Sequence, residues 1–193
     1  MTCFGRYVVL ELGVGSLEHG IRRKLLEIKM NQPESAASGV HDFDFFIGCW
    51  NVHHRRLTER LANNHDWVDF KGTTVVLSLL GGNGNIDDNV LELPDDTYRA
   101  LSLRSFDSKS QLWSIWWLDG RSPQGPLDPP VRGRFQDGVG TFYADDTFNL
   151  RPIRVRFVWS DITPKSARWA QSFSGDGGQT WETNWTMEFV RAK

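Results

Sequence analysis

The sequence predicts an all-β protein, one antiparallel up-and-down barrel of about ten strands, after a short N-terminal extension that is helical or flexible. Three observations predict it. From Trp50 onward, short runs rich in Val, Thr, Phe and Trp recur with turn residues between them. After residue 40 no stretch carries a convincing helical apolar period. The links between runs are mostly short, so neighbouring runs pair antiparallel. A meander of that length closes on itself, because closure removes its exposed edges.

Residues 1–40 read differently from the rest. Val8–Leu10 is apolar, and Leu17–Met30 suits a short helix with Arg22, Arg23 and Lys24 on its surface. The stretch is not a secretory signal, since its apolar run is too short and its basic residues follow rather than precede it. Met30-Asn31-Gln32-Pro33-Glu34-Ser35-Ala36-Ala37-Ser38-Gly39 reads like the flexible start of a protein, so the expectation is that Met30 is the real initiator or that residues 1–40 are a loosely held extension. The expected division is therefore an extension over 1–40 and a barrel over 41–193.

The barrel opens on Phe43–Leu57. Packed aromatics lead to a turn at Gly48. A strand follows in which Trp50, Val52, His54 and Arg56 share one face. Trp67–Leu80 is the second strand, and Gly81-Gly82-Asn83-Gly84-Asn85 is a hairpin turn. That turn lacks the Lys-Ser/Thr ending and the following helix of a phosphate loop. Ile86–Leu93, Tyr98–Phe106 and Leu112–Leu118 come next. A longer connection then carries Pro123, Pro126, Pro129 and Pro130, which bar a regular ladder. Val131–Phe135, Val139–Ala144, Ile153–Ile162, Ala167–Phe173 and Thr183–Arg191 complete the set.

The triplet Gly48-x-Trp50 heading the first strand, with Arg191 ending the last, resembles the signature of the lipocalin and fatty-acid-binding (calycin) barrels. The wider stretch Phe45-Phe46-Ile47-Gly48-Cys49-Trp50 is similar to the openings of bacterial lipocalin-like domains of unknown function. The resemblance covers about Asp42 to Arg191. It implies a calycin-like barrel with a ligand cavity. It also implies a closed end where Gly48, Trp50 and Arg191 meet, the arginine covering the indole by cation–π stacking. It names no ligand, because the fold hosts many functions. Ser174-Gly175-Asp176-Gly177-Gly178-Gln179-Thr180-Trp181 matches the Asp-box pattern of sialidase-type propellers. Here it occurs once and without blade repeats, so it reads as a structural hairpin.

Composition narrows the function classes. The net charge of −2 and pI of about 6.2 argue against a nucleic-acid footprint. No 18-residue apolar run predicts a membrane span. Two cysteines, one of them in the extension, make a structural disulfide unexpected, and the cytoplasm is the expected compartment. Asn184-Trp185-Thr186 fits a glycosylation sequon but falls on a strand, as a chance match. The nine tryptophans either fill the interior or wall a cavity.

Alternation gives the candidate site. Trp117, Trp159 and Trp169 are the expected aromatic walls, with Gln171 on the same face as Trp169. Arg104, Arg132, Arg134, Arg154 and Arg156 are the arginines whose forks could hold a carboxylate, Arg104 and Arg134 first among them. His54 is either an inward polar contact or a satisfied structural histidine. Asp87 shares a face with Asn89 and reads as a solvated strand end, the alternative being an inward acid–base partner for an arginine. His53 and His54 face opposite sides, and no zinc-type spacing occurs, so neither metal nor cofactor is expected. The strand Leu112–Leu118 is apolar on both faces. It is therefore covered outside or offers an interaction surface through Trp116. The expected function is binding of a small apolar or amphipathic molecule in an aromatic-lined cavity. The alternatives are a cyclase, isomerase or hydrolase in the same cavity, or an interaction module with exposed aromatics. The expected partner is a small molecule, with no nucleic acid and no membrane, and a homodimer is the assembly left open.

Overall fold

Ten strands follow one another around the barrel, each hydrogen-bonded to its sequence neighbour. They are β1 (Gly48–Leu57), β2 (Trp67–Leu79), β3 (Gly84–Glu92), β4 (Thr97–Asp107) and β5 (Leu112–Asp119), then β6 (Val131–Gln136), β7 (Val139–Phe148), β8 (Arg151–Ser160), β9 (Ser166–Ser174) and β10 (Glu182–Arg191). The computed structural model describes residues 39–125 and 127–193. The expected helix Leu17–Met30, Cys3 and most of the extension lie outside the described residues. All pairings are antiparallel, and β10 returns to β1, so the sheet is a closed meander. The 3-10 turns Gly39–His41, Asp44–Phe46 and Leu80–Gly82 are the helical elements among the described residues.

The end at which β1 begins and β10 finishes is plugged. Phe43 and Phe46, both about 1% exposed, enter the barrel from the segment before β1. Phe43 packs edge-on against Trp113, Phe135 and Trp159, and Phe46 meets Trp50, Trp159 and Phe189. The indole of Trp50 donates to the Phe46 carbonyl at 2.7 Å, and that of Trp113 to the Gly39 carbonyl at 2.9 Å. The Arg191 guanidinium carbon lies 4.0 Å from the Trp50 ring centroid. Its Nη1 donates to the Ile47 carbonyl at 2.8 Å and its Nη2 to that of Phe45. Gly48 makes this closure possible. Its φ of +116° disfavours a side chain, and a Cβ there would lie 2.8 Å from Arg191 Nη1.

The Asp-box stretch is the β9–β10 hairpin. Ser174 Oγ accepts from the Gly178 amide at 2.8 Å. Asp176 accepts from the amides of Gln179 and Thr180 at 3.0 and 2.9 Å. The Trp181 indole donates to Gly178 at 3.0 Å, and the Arg156 guanidinium sits 4.3 Å from its ring centroid. These bonds, mostly within the turn, hold it from inside.

On the outside, the registers of β2 to β5 align Leu77, Ile86, Leu103 and Trp116 in one cross-strand row. Leu77 is 59% exposed and the other three are half-buried.

Candidate functional site

At the end opposite the plug the barrel is open, and a cavity of about 360 Å³ runs inward from it. Trp117, Trp159 and Trp169 line it, joined by Phe157, Trp185 and Met187. Trp159 and Trp169 are nearly fully buried, at 2% and 6% exposed, whereas Trp117 is half-buried. Trp169 and Trp117 each meet Trp185 edge-to-face, with centroids 5.6 and 5.9 Å apart. Gln171 also reaches the cavity, but its amide nitrogen donates to Asn184 Oδ1 at 2.8 Å. Asn184 lies in a bulge, where the β9–β10 register shifts between Thr183 and Trp185, and it is fully buried.

Deep in the cavity stands an ion pair. Arg104 Nη2 donates to Asp87 Oδ2 at 2.6 Å, and Nη1 donates to Asn85 Oδ1 at 3.0 Å. Asp87 Oδ1 accepts from the Ser102 amide at 2.7 Å and from Asn89 Nδ2. Both charged side chains are under 5% exposed. The Arg104 guanidinium also lies 5.0 Å from the Phe46 ring centroid and 5.4 Å from that of Phe43. Asp87 is therefore not a solvated strand end. The β3 register turns Asn85, Asp87 and Asn89 inward, because each pairs with β4 residues that face the same way.

The mouth is polar and carries both signs of charge. Arg56 at the end of β1, Arg60 in the β1–β2 connection and Arg121 after β5 line one side. Arg121 pairs with Asp119 at 2.7 Å and lies 3.7 Å from the Tyr98 ring centroid. The Arg121 contact holds the Asp119 carboxyl below the usual carboxylate range. Arg56 donates to Tyr98 Oη at 3.3 Å and covers Phe70 and Trp185 at 5.4 and 5.2 Å. Neither Arg56 nor Arg60 has a carboxylate within 4.0 Å among the described residues. Burial, then the charges of Arg56 and Arg121, depress the proton affinity of Arg60. Asp128 and Asp146 also line the opening. Burial, with Asp146 nearby, pushes the Asp128 carboxyl up.

Two expected contacts are misplaced. Arg134 points outward and is exposed; on β6 the inward residues are Val131, Gly133 and Phe135. The same alternation puts Arg132 and Arg154 outside, and Arg156 outside on Trp181. Of the five arginines expected to supply cations, Arg104 alone lines the cavity. His54 is 2% exposed and sits behind the wall rather than on it. Its ring stacks on Phe70, with centroids 4.6 Å apart, and its Nδ1 accepts from the Trp185 indole at 3.3 Å. Burial above all, with Arg56 and His53 adding to it, lowers its pKa to about 3, so the ring is neutral. Arg56, Arg60 and Arg121, which line the mouth, lie outside the expected set of arginines. The signal was present at Arg56, two residues beyond His54 on the face that Trp50 defines.

No family model matches the chain, and no curated protein matches it. Among solved structures, the chain is similar to the S-type phycobiliprotein lyase CPES from Guillardia theta. The match has 11% identity and a TM-score of 0.51, covering 82% of this chain and 94% of that one. At that identity the likeness concerns the fold. Together with the ten-strand closure it shows a lipocalin-like barrel fold. No helix among the described residues is long and apolar enough to cross a membrane.

Proposed function

We propose that this protein binds a small, largely apolar molecule inside the barrel, with polar contacts at the two ends of the cavity. One observation carries the reading. The cavity has a volume within the range of small-molecule sites, and indole and phenyl rings form a large part of its wall. A protein interior ordinarily fills such space to crystal-like density. Here Ala144, half-buried on β7, leaves room that a larger residue would occupy. The similar solved structure, called a phycobiliprotein lyase, shares this barrel fold.

The enzyme reading has one observation in its favour, the buried Asp87–Arg104 pair. Both Asp87 oxygens are engaged, by the Ser102 amide and Asn89 on one side and by Arg104 on the other. A carboxylate so occupied serves to hold Arg104 in place rather than to take a ligand's proton. Binding is therefore the reading the site supports best.

Native mass spectrometry of the purified protein, combined with titration by N-phenyl-1-naphthylamine, tests it. A small-molecule adduct, or saturable fluorescence enhancement, is expected. Ala144→Phe should abolish probe binding while the melting temperature holds or rises. Absence of both adduct and enhancement, or an unchanged response in Ala144→Phe, would remove the reading.

A further inference from the structure

The cavity and its rim together carry four arginines and four aspartates. Arg104 pairs with Asp87, and Arg121 with Asp119. That leaves Arg56 and Arg60 without a carboxylate within 4.0 Å, the charges of Asp119 and Glu182 acting on them only from beyond that distance, and it leaves Asp128 and Asp146 near each other on the rim. The two arginines are half-buried. Arg56 is immobilised over Trp185 and Phe70, and the Arg60 guanidinium lies 5.8 Å from the Phe173 ring centroid. Arg60 makes no hydrogen bond to protein among the described residues, so its donors are free. The connection that carries it is itself fixed, because the Leu61 amide donates to both Glu182 oxygens, at 2.8 and 3.0 Å.

Two like charges held close together, partly out of water, repel each other. An anion between them relieves that repulsion and receives charge-assisted hydrogen bonds from planar forks suited to oxyanions. The aromatic cavity lies directly inward of them. We infer that Arg56 and Arg60 form an oxyanion subsite at the barrel mouth, and that the ligand is an amphipathic molecule with a carboxylate or sulfonate head there and an apolar body inside. Asp128 and Asp146, which also line the opening, disfavour a second anionic group there. The inference rests on the cavity-binding reading and adds the chemistry of the head group and the residues that select it.

The test compares two fluorescent probes that share one aromatic body. 1-Anilinonaphthalene-8-sulfonate carries the oxyanion, and N-phenyl-1-naphthylamine lacks it. Both are titrated into the full-length protein, Arg60→Gln, Arg56→Gln and, as an outer-surface control, Arg134→Gln. Melting curves exclude any variant that is not folded. Arg60→Gln is the decisive one, because the Arg60 side chain supports less packing than that of Arg56. The sulfonate probe should bind the wild type more tightly, and its affinity should fall as salt is raised. In Arg60→Gln it should weaken about tenfold or more, the scale of a lost charge-assisted hydrogen bond, while the neutral probe is little changed. Arg134→Gln should leave both probes as they were. If both probes bind but Arg60→Gln leaves the sulfonate unaffected, or weakens both equally, the oxyanion subsite is wrong and the cavity reading stands. If neither probe binds the wild type, both fall.

Discussion

Arg191 makes three kinds of contact at the plugged end. It stacks on Trp50, donates to the carbonyls of Ile47 and Phe45, and donates through Nε to the Pro164 carbonyl at 2.8 Å. A cation–π contact alone would be worth about 0.5–2 kcal/mol. Loss of the guanidinium also strips donors from three carbonyls, so Arg191→Ala should cost about 2–4 kcal/mol in urea unfolding. Trp50→Ala removes a large side chain at 1% exposure and should cost about 3–5 kcal/mol. The double mutant should show coupling of about 1 kcal/mol or more, and additive effects would mean that the stack contributes nothing of its own. His54 makes a second residue-scale prediction. Its folded-state pKa of about 3 lies below the unfolded value of about 6.5, so the unfolded chain binds the extra proton between these values. The His54 contribution is fully present above about pH 6.5 and is lost as pH falls toward 3. Within that window wild-type stability should fall with pH more steeply than that of His54→Gln, by up to about 1.4 kcal/mol per pH unit. Parallel curves for the two proteins would show that the ring is not buried neutral.

At the scale of elements, strand positions were legible and strand orientation was only partly so. Every expected strand exists, and most bounds agree within two residues, because turn residues punctuate the runs. The exception is β7, expected to stop at Ala144. It continues to Phe148, because Asp145 and Asp146 look like turn residues but pair with Arg154 and Ile153 on β8. Alternation gives which residues share a face, not which face is inside. On β5 the pattern was ambiguous, since both faces are apolar, and Trp113, Ile115 and Trp117 prove to be the inner set. On β3 polarity itself misleads at Asp87, whereas on β4 Arg104 lies inward as expected. Asp87, Ser102 and Arg104 point inward, while Leu101 and Leu103 point outward. An inward charge pair satisfies its own needs locally, and no sequence period records that satisfaction. The same limit explains Arg134: on β6 it alternates with Gly133 and Phe135, and its charge gave no clue to its side. Trp50, by contrast, fixed the inner face of β1 as far as Arg56, because its burial was implied by the Gly48–Arg191 closure.

Closure of the whole molecule depends on a segment that is not a strand. Residues 39–47 supply Phe43 and Phe46, which fill one end of the barrel, and the carbonyls that hold Arg191, Trp50 and Trp113. Val40 also packs against the core, and Gly39 accepts from Trp113, so the barrel unit reaches back to residue 39. The earlier residues are proposed to be dispensable. A chain beginning at Met30 should therefore melt within a few degrees of the full-length protein. A chain beginning at Gly48 should behave differently. It loses two buried phenyl rings, each worth about 3–5 kcal/mol, against a total stability of about 5–15 kcal/mol. It also strands Arg191 and exposes the rings of Trp159 and Phe189. Such a chain should be insoluble, or show no cooperative calorimetric transition. Both outcomes are read by scanning calorimetry of the soluble fractions. Loss of the cooperative transition on cutting at Met30 would mean that the proposed boundary lies too far into the barrel's own structure. A cooperative transition on cutting at Gly48 would mean that the strands close without the plug.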